Sequence, residues 1–340
     1  MLSSRSADTH LSGEGFNGRE IPFIVRDMAE EIYAFSRLEE TFSRTKSLLW
    51  PPRRDVWLRL ALIALFVGGG ASFPNTSQYN VGEGDLPAGM AGSLPEIAPL
   101  VTAFIVALLA IAFLWMLVGA VMQFVFVDML STGDIHIRRF FRERLGKGAR
   151  LFLFQIAITL ILVLGIAALA VLIFGFGGVG PRVGVPLLIL VLIPVLLVLA
   201  LLVGVIFLLT IDFVVPIMIR EDCGVIEGWR RLIGVISANV WQTVAYVVVK
   251  FVLGLVAAIA QVVVVILALL VIAIPFVLIG IVLLAAGLAN YVLLLVLLIP
   301  YLIIAIPVAL LIAVPFITFF RYYGLLVLAG LAPEYRLLPG

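Results

Sequence analysis

The feature that most constrains this chain is a series of uninterrupted apolar stretches well beyond 18 residues, with nearly every charged residue lying between them. In hydrocarbon each backbone N–H and C=O must be satisfied within its own segment, so stretches of this kind are helices that cross a bilayer. A transmembrane barrel would instead show short strands of alternating polarity, a pattern this chain lacks. Composition agrees: 64% of the 340 residues are hydrophobic, 12% are charged and the mean hydropathy is +1.26, too little polar surface for a soluble protein. The expected fold is an all-α polytopic membrane bundle of about six transmembrane helices, with amphipathic helices on the cytoplasmic side.

Residues 1–26 carry charged, Ser- and Gly-rich sequence with no apolar run, which reads as a disordered cytoplasmic tail and not as a cleaved signal peptide. Over residues 27–50, Met28, Ile32, Phe35, Leu38, Phe42, Thr45 and Leu49 recur at helical spacing, opposite Glu30, Glu31, Arg37, Glu40, Arg44 and Lys46. This predicts an amphipathic helix lying on the membrane surface or against the cytoplasmic ends of the spans. Pro51 and Pro52 end it, and Asp55 is placed to cap the next helix.

Residues 51–330 form the transmembrane domain and 331–340 a cytoplasmic tail. The first span, from Trp57 to Gly70, is short. A Gly- and Pro-rich loop from Ser72 to Pro99 leads to spans over about 100–127, 151–174 and 185–218. The final apolar block is expected to hold two spans, about 240–272 and 296–326, with Pro275–Tyr291 as a membrane-embedded or re-entrant connection. Four shorter helices, giving eight spans in all, are the alternative. Nine Lys and Arg lie within residues 1–59, six within 138–150 and three within 220–231, whereas the intervening loops hold only Arg182. Basic loops stay in the cytoplasm, which places both termini there and the protein in the cell membrane as a multi-pass component.

A faint repeat is visible. A span ending in an acid (Asp128, Asp212) leads to a glycine (Gly133, Gly224), a basic amphipathic stretch, and a new span opening seventeen residues after the glycine (Arg150, Trp241).

No catalytic constellation is evident. His10 lies in the N-terminal tail and His136 has no Glu or Cys partner at metal-ligand spacing, and the single cysteine, Cys223, precludes a disulfide within the chain. FGFGGVGPRVG at 174–184 resembles a phosphate loop only in its glycines, without the Lys-Ser/Thr that would contact phosphate, and reads as an external turn. The chain is therefore expected to be no enzyme, to need no cofactor and to bind no nucleic acid. Two buried charges are more informative. Asp212 lies eight residues before Arg220, and Lys250 nine residues after Trp241 on the antiparallel neighbour, so both sit at similar depth. Unpaired, each would cost several kcal/mol in hydrocarbon, so the two are expected to form an intramembrane polar pair that locks the bundle or serves an ion site. Arg138, Arg139, Arg142, Arg144 and Lys147, interleaved with Ile135, Ile137, Phe140, Phe141 and Leu145, are expected to contact lipid headgroups.

TKSLLWPPRRDVWLRLALIALFVGGG (45–70), DFVVPIMIREDCGVIEGWRRL (212–232) and FFRYYGLLVL near the end resemble a group of uncharacterised archaeal multi-pass membrane proteins. The second stretch is also distantly similar to the membrane domain of bacterial glycerophosphodiester phosphodiesterases, whose hydrolase domain has no counterpart here. The resemblance implies one helical domain and no particular activity. The reading that follows is a lipid-interacting scaffold or accessory subunit of a membrane assembly, with membrane lipids, another membrane protein or a second copy as partner. A transporter or channel using Asp212 and Lys250 is the alternative.

Overall fold

The computed structural model describes residues 37–67, 90–134, 136–175, 181–287 and 291–338, and these are helical almost throughout. The helices are α1 (37–49), α2 (Arg54–Val67), α3 (Met90–Thr132), α4 (Ile137–Gly175), α5 (Pro181–Leu209), α6 (Val215–Arg220), α7 (Val225–Ala238), α8 (Val240–Ala285) and α9 (Tyr291–Leu331). A π-helical turn, Thr210–Val214, joins α5 to α6 without a break in the rod. No strand occurs among the described residues. Five segments are long and apolar enough to cross a membrane: Pro99–Thr132, Ile137–Leu169, Ile193–Arg220, Val240–Ala285 and Leu295–Leu331. Helix α2, the expected first span, is not among them: its 14 described residues reach about 21 Å against about 30 Å of hydrocarbon.

The long helices pair as neighbours in sequence, α3 with α4 and α8 with α9, while α2 lies against α9 and α3. Gly133, at φ +67°, turns the chain from α3 towards α4, and Gly287, at φ +70°, follows the end of α8. Both need the left-handed conformation that glycine adopts without a Cβ penalty. The α3–α4 crossing depends on a different glycine property. A Cβ on Gly148 would lie 2.4 Å from Val121 Cγ2 and 2.7 Å from Val121 Cα, so backbone meets backbone there.

Burial is concentrated at one end of these rods. The end of α3 (Ala120 to Leu130), the start of α4 (Leu151), the π turn with α6, the start of α8 (Tyr246) and the end of α9 (Val314 to Leu328) share one core with α2. We call this end the base. Beyond it the helices continue as arms: most apolar side chains from Leu100 to Trp115 on α3, from Leu153 to Leu164 on α4 and along α8 after Tyr246 are exposed. At 46 residues α8 is about 69 Å long, more than twice the hydrocarbon thickness.

Several expectations are corrected. The connection at Pro275–Tyr291 is not re-entrant: α8 runs unbroken through Pro275 to Ala285, and α9 opens at Tyr291 and passes through Pro300, Pro307 and Pro315. Proline removes one intrahelical hydrogen bond and bends a helix, but a long apolar segment retains the rest of its ladder. The last block thus holds two helices and not four. Helix α3 begins at Met90, inside the expected loop from Ser72 to Pro99, and Pro181–Gly184 belong to α5 and not to a turn. The basic stretch 138–150 and the following span form one helix, whereas α7 breaks from α8 at Asn239, so the two copies of the faint repeat differ in shape. The C-terminal segment is docked and not a free tail, since Leu338 is buried and Tyr335 and Leu337 pack on the core. The expected tail 1–26, the first ten residues of the 27–50 helix, the end of the expected first span with the loop after it (68–89) and residues 176–180 of the expected external turn lie outside the described residues.

Helix α1 packs on the base largely by the expected face, with Leu38, Thr45 and Leu49 against the core, but Phe42 departs from it and Thr41 takes its place. Thr41, Thr45 and Leu49 are buried, whereas Phe42 is 64% exposed. The threonines can be buried because each hydroxyl donates back to the preceding turn, Thr41 Oγ1 to the Arg37 carbonyl at 2.6 Å and Thr45 Oγ1 to the Thr41 carbonyl at 2.8 Å.

Candidate functional site: a buried polar hub in the base

The hub begins with a backbone irregularity that the sequence dictates. In the π turn Val215 N–H bonds the Thr210 carbonyl, five residues back. In that register the donor for the Ile211 carbonyl would be residue 216, which is proline and has no N–H. The orphaned carbonyl is taken by Arg321 from α9, whose Nη1 donates to it at 2.8 Å. Arg321 Nη2 donates to the Gln123 side-chain oxygen on α3, and the guanidinium lies 5.4 Å from the centre of the Phe126 ring. One arginine therefore ties α9, the π turn and α3 together. Burial demands such partners, because an unsatisfied guanidinium in an apolar core would cost several kcal/mol.

The same π turn carries Asp212, which is 4% exposed. Its Oδ2 accepts from Lys250 Nζ and, at 2.8 Å, from the Tyr246 hydroxyl, both on α8. Lys250 and Tyr246 are one helical turn apart and touch each other, Nζ to hydroxyl, at 3.3 Å. The Tyr246 ring lies between Phe213 (centroids 4.8 Å apart) and Tyr323 (5.4 Å). Gly324 closes the wall: a Cβ there would sit 3.2 Å from Asp212 Cβ and Cγ and from the Tyr246 hydroxyl. A tight, aromatic-walled chamber thus holds one carboxylate with two cations, Lys250 in contact and Arg321 behind it on the next carbonyl. On the outer side of the turn, Trp229 Nε1 donates at 3.2 Å to Thr210 Oγ1, joining α7 to the same turn.

A second ion pair lies closer to the charged end. Asp128 on α3 is gripped from two sides by Arg144 on α4, Nε to Oδ2 at 2.7 Å and Nη2 to Oδ1 at 3.2 Å. Lys147 donates to the Met218 carbonyl at 2.8 Å and meets Asp222 at 2.5 Å. Bonded to Lys147 and attracted by its charge, the exposed Asp222 carboxyl is held below the usual carboxylate range. Burial pushes the neighbouring Cys223 thiol up. The expected headgroup set is accordingly divided. Arg144 and Lys147 turn inward to protein partners, which is a correction. Arg139 is exposed but pairs with Glu143 at 3.0 Å, and Arg138 and Arg142 are exposed on the same face. These last three and Glu143 line a shallow depression on the outside of α4.

Of the hub residues, sequence reasoning singled out Asp212 and Lys250 and missed Tyr246, Arg321, Gln123, Tyr323 and Gly324. Arg321 could have been found as the one charge within the last apolar block after Lys250. Tyr246 and Gln123 carry no such signal, since neutral polar residues are common near span ends. Among the described residues no group of three His, Cys, Asp or Glu side chains is gathered as a metal site requires.

No curated protein and no solved structure matches the chain. The model of one family does match, over residues 32–338, from within α1's expected helix to the docked C-terminal segment and thus across the whole base and both pairs of arms. The chain belongs to that family, a family of unknown function (DUF7544).

Proposed function

We propose that this protein is a non-enzymatic scaffold or accessory subunit of a membrane assembly, in which the base fixes the helices and the arms offer their apolar sides to lipid and to the helices of a partner. The observation that carries this reading is the contrast in burial along α8: its buried residues are Thr243 and Tyr246, at the base, whereas none from Phe251 to Leu284 is buried and most of the apolar side chains there are exposed. A protein whose chemistry resides in its own bundle buries its helices along their length; here the arms meet only pairwise, as where Phe276 touches Tyr301, and leave most of their apolar surface bare. Lysine and arginine counts favour a base on the cytoplasmic side of the cell membrane, with both termini there.

Photo-crosslinking in native membranes tests it. A benzophenone residue at Val256, Val263 or Leu270 should give a discrete protein adduct, whereas lipid adducts alone at all three positions would remove the partner from the proposal. The second reading, transport through Asp212 and Lys250, draws on the π turn and Pro216, irregularities that often mark functional positions in helices. Against it, the carboxylate is already engaged by Lys250 and Tyr246. Solute or ion flux in proteoliposomes that Asp212→Asn abolishes would replace the first reading with the second.

A further inference from the structure

We propose that the corner between α1 and α2 is a docking surface for the anionic phospholipid headgroups of the bilayer. The surface is carried by the two helices that pack on the base and does not depend on what the arms bind. Its first component is a stripe on α1. Phe42, Lys46 and Trp50 follow one another at intervals of four residues, and the helical hydrogen bonding extends to the last of them, Trp50 N–H to the Lys46 carbonyl at 2.8 Å. They therefore share one face. Phe42 is 64% and Trp50 68% exposed, and Lys46 between them is exposed as well. The buried stripe of Thr41, Thr45 and Leu49 lies beside it, so α1 has one edge committed to the protein and an adjoining aromatic edge that is exposed among the described residues.

The second component is on α2, where Arg54, Leu58 and Leu62 also stand four residues apart. Leu58 is 61% and Leu62 44% exposed, on a helix whose other side is buried against α9 and α3. A helix face with arginine at its start and two bare leucines in the next two turns matches the passage from headgroup layer to acyl chains, with Arg54 at the polar level. The two components are locked together: Trp57 Nε1 donates to the Leu49 carbonyl at 3.2 Å across the turn.

Charge selects the lipid. Asp55 is the one acid between residues 45 and 60, against Lys46, Arg53, Arg54 and Arg59. The side chains of Lys46, Arg53 and Arg54 are all exposed, and none of the three is in an ion pair with an acid among the described residues. An exposed tryptophan and phenylalanine flanking a free ammonium, beside two free guanidiniums, suit a surface that is apolar below and anionic above. A phosphate-bearing bilayer has that profile; a soluble acidic protein would satisfy the cations and leave the aromatic rings wet.

The test uses the full chain in nanodiscs, with Cys223→Ser as background and single spin labels at positions 42, 43, 47 and 50. In discs of phosphatidylcholine with one quarter phosphatidylglycerol, labels at 42 and 50 should be reached by oxygen in preference to a water-soluble nickel chelate. Labels at 43 and 47 should show the reverse. Equal exposure of all four to nickel would overturn the proposal, and so would protection of 42 and 50 from both reagents, which would signal a protein partner or second copy seated there. In parallel, native mass spectrometry should find at least a two-fold loss of retained phosphatidylglycerol in the Lys46→Gln/Arg53→Gln/Arg54→Gln variant. The single variant Lys46→Gln, which alters one exposed side chain, should show a smaller loss in the same direction. Unchanged retention in both would overturn the assignment of these cations to headgroups.

Discussion

The base and the arms of this protein are made of the same helices, yet they solve opposite problems. In the base, α3, α4, α8, α9 and the π turn approach closely enough to bury Asp128, Asp212, Gln123 and Arg321, and each of these finds a partner on another element. In the arms the same rods carry almost purely aliphatic sequence, and their side chains meet few neighbours. The difference teaches what joins helices when apolar surface has no preference between a neighbouring helix and a lipid tail. Hydrocarbon offers leucine as good a solvent as another leucine does, so association comes from close backbone approach and from polar groups that hydrocarbon cannot satisfy. Gly148 against Val121 supplies the first, and the Asp212 and Arg321 contacts supply the second.

If that contrast is right, the largest effects come from leaving one hub charge unpaired. Asp212→Asn or Lys250→Met alone should lower unfolding stability in detergent by about 3–5 kcal/mol, the usual cost of breaking a buried pair. The double variant should recover part of that loss, and a double-mutant cycle on thermal unfolding reads the coupling. Strictly additive losses would mean that the pair does not hold the base together.

A smaller but clear effect is expected at the closest helix crossing. Gly148→Ala places a methyl group 2.7 Å from Val121 Cα, which backbone cannot easily yield, and should cost on the order of 1–3 kcal/mol. Gly165→Ala, on the same helix but in the arm with nothing within 4 Å of its Cβ, should be neutral or slightly stabilising. Equal behaviour of the two in thermal unfolding would erase the distinction between base and arm.

At the rim of the base the expectation is a pH effect. The folded Asp222 carboxyl is held below its ordinary range by Lys147, so the contact contributes fully above roughly pH 4, the unfolded value, and is lost as pH falls through the lowered folded value. Asp222→Asn should therefore reduce stability slightly at neutral pH and leave the acid limb of the stability profile flatter than in the natural chain. An acid limb identical to that of the natural chain would mean that Lys147 is held by the Met218 carbonyl alone. The smallest effect belongs to the arms: Leu267→Ala or Leu270→Ala, both on exposed positions of α8, should stay within about 0.5 kcal/mol in detergent. A loss of several kcal/mol would show that the arms pack in solution.

By itself the sequence determined the helical class and the separation of charge from the long apolar segments, because hydrocarbon imposes those features on each segment independently of its neighbours; whether the last apolar block held two helices or four it left open. It also marked Asp212 and Lys250, since a charge inside an apolar run is anomalous wherever the run ends up. The sequence also placed Thr45 and Leu49 on the packed side of α1, but only the tertiary structure decided that Thr41 is buried beside them and Phe42 exposed, because a threonine whose hydroxyl bonds its own helix passes as apolar. The fate of Arg144 and Lys147 was likewise hidden: a basic residue beside a span looks the same whether it faces headgroups or reaches Asp128 and the Met218 carbonyl. The role of Arg321 required three elements at once, an α9 side chain, an α3 glutamine and a carbonyl released by Pro216, residues separated by up to 198 positions. No local pattern links them, since it is the crossing of the helices that brings them within hydrogen-bond reach.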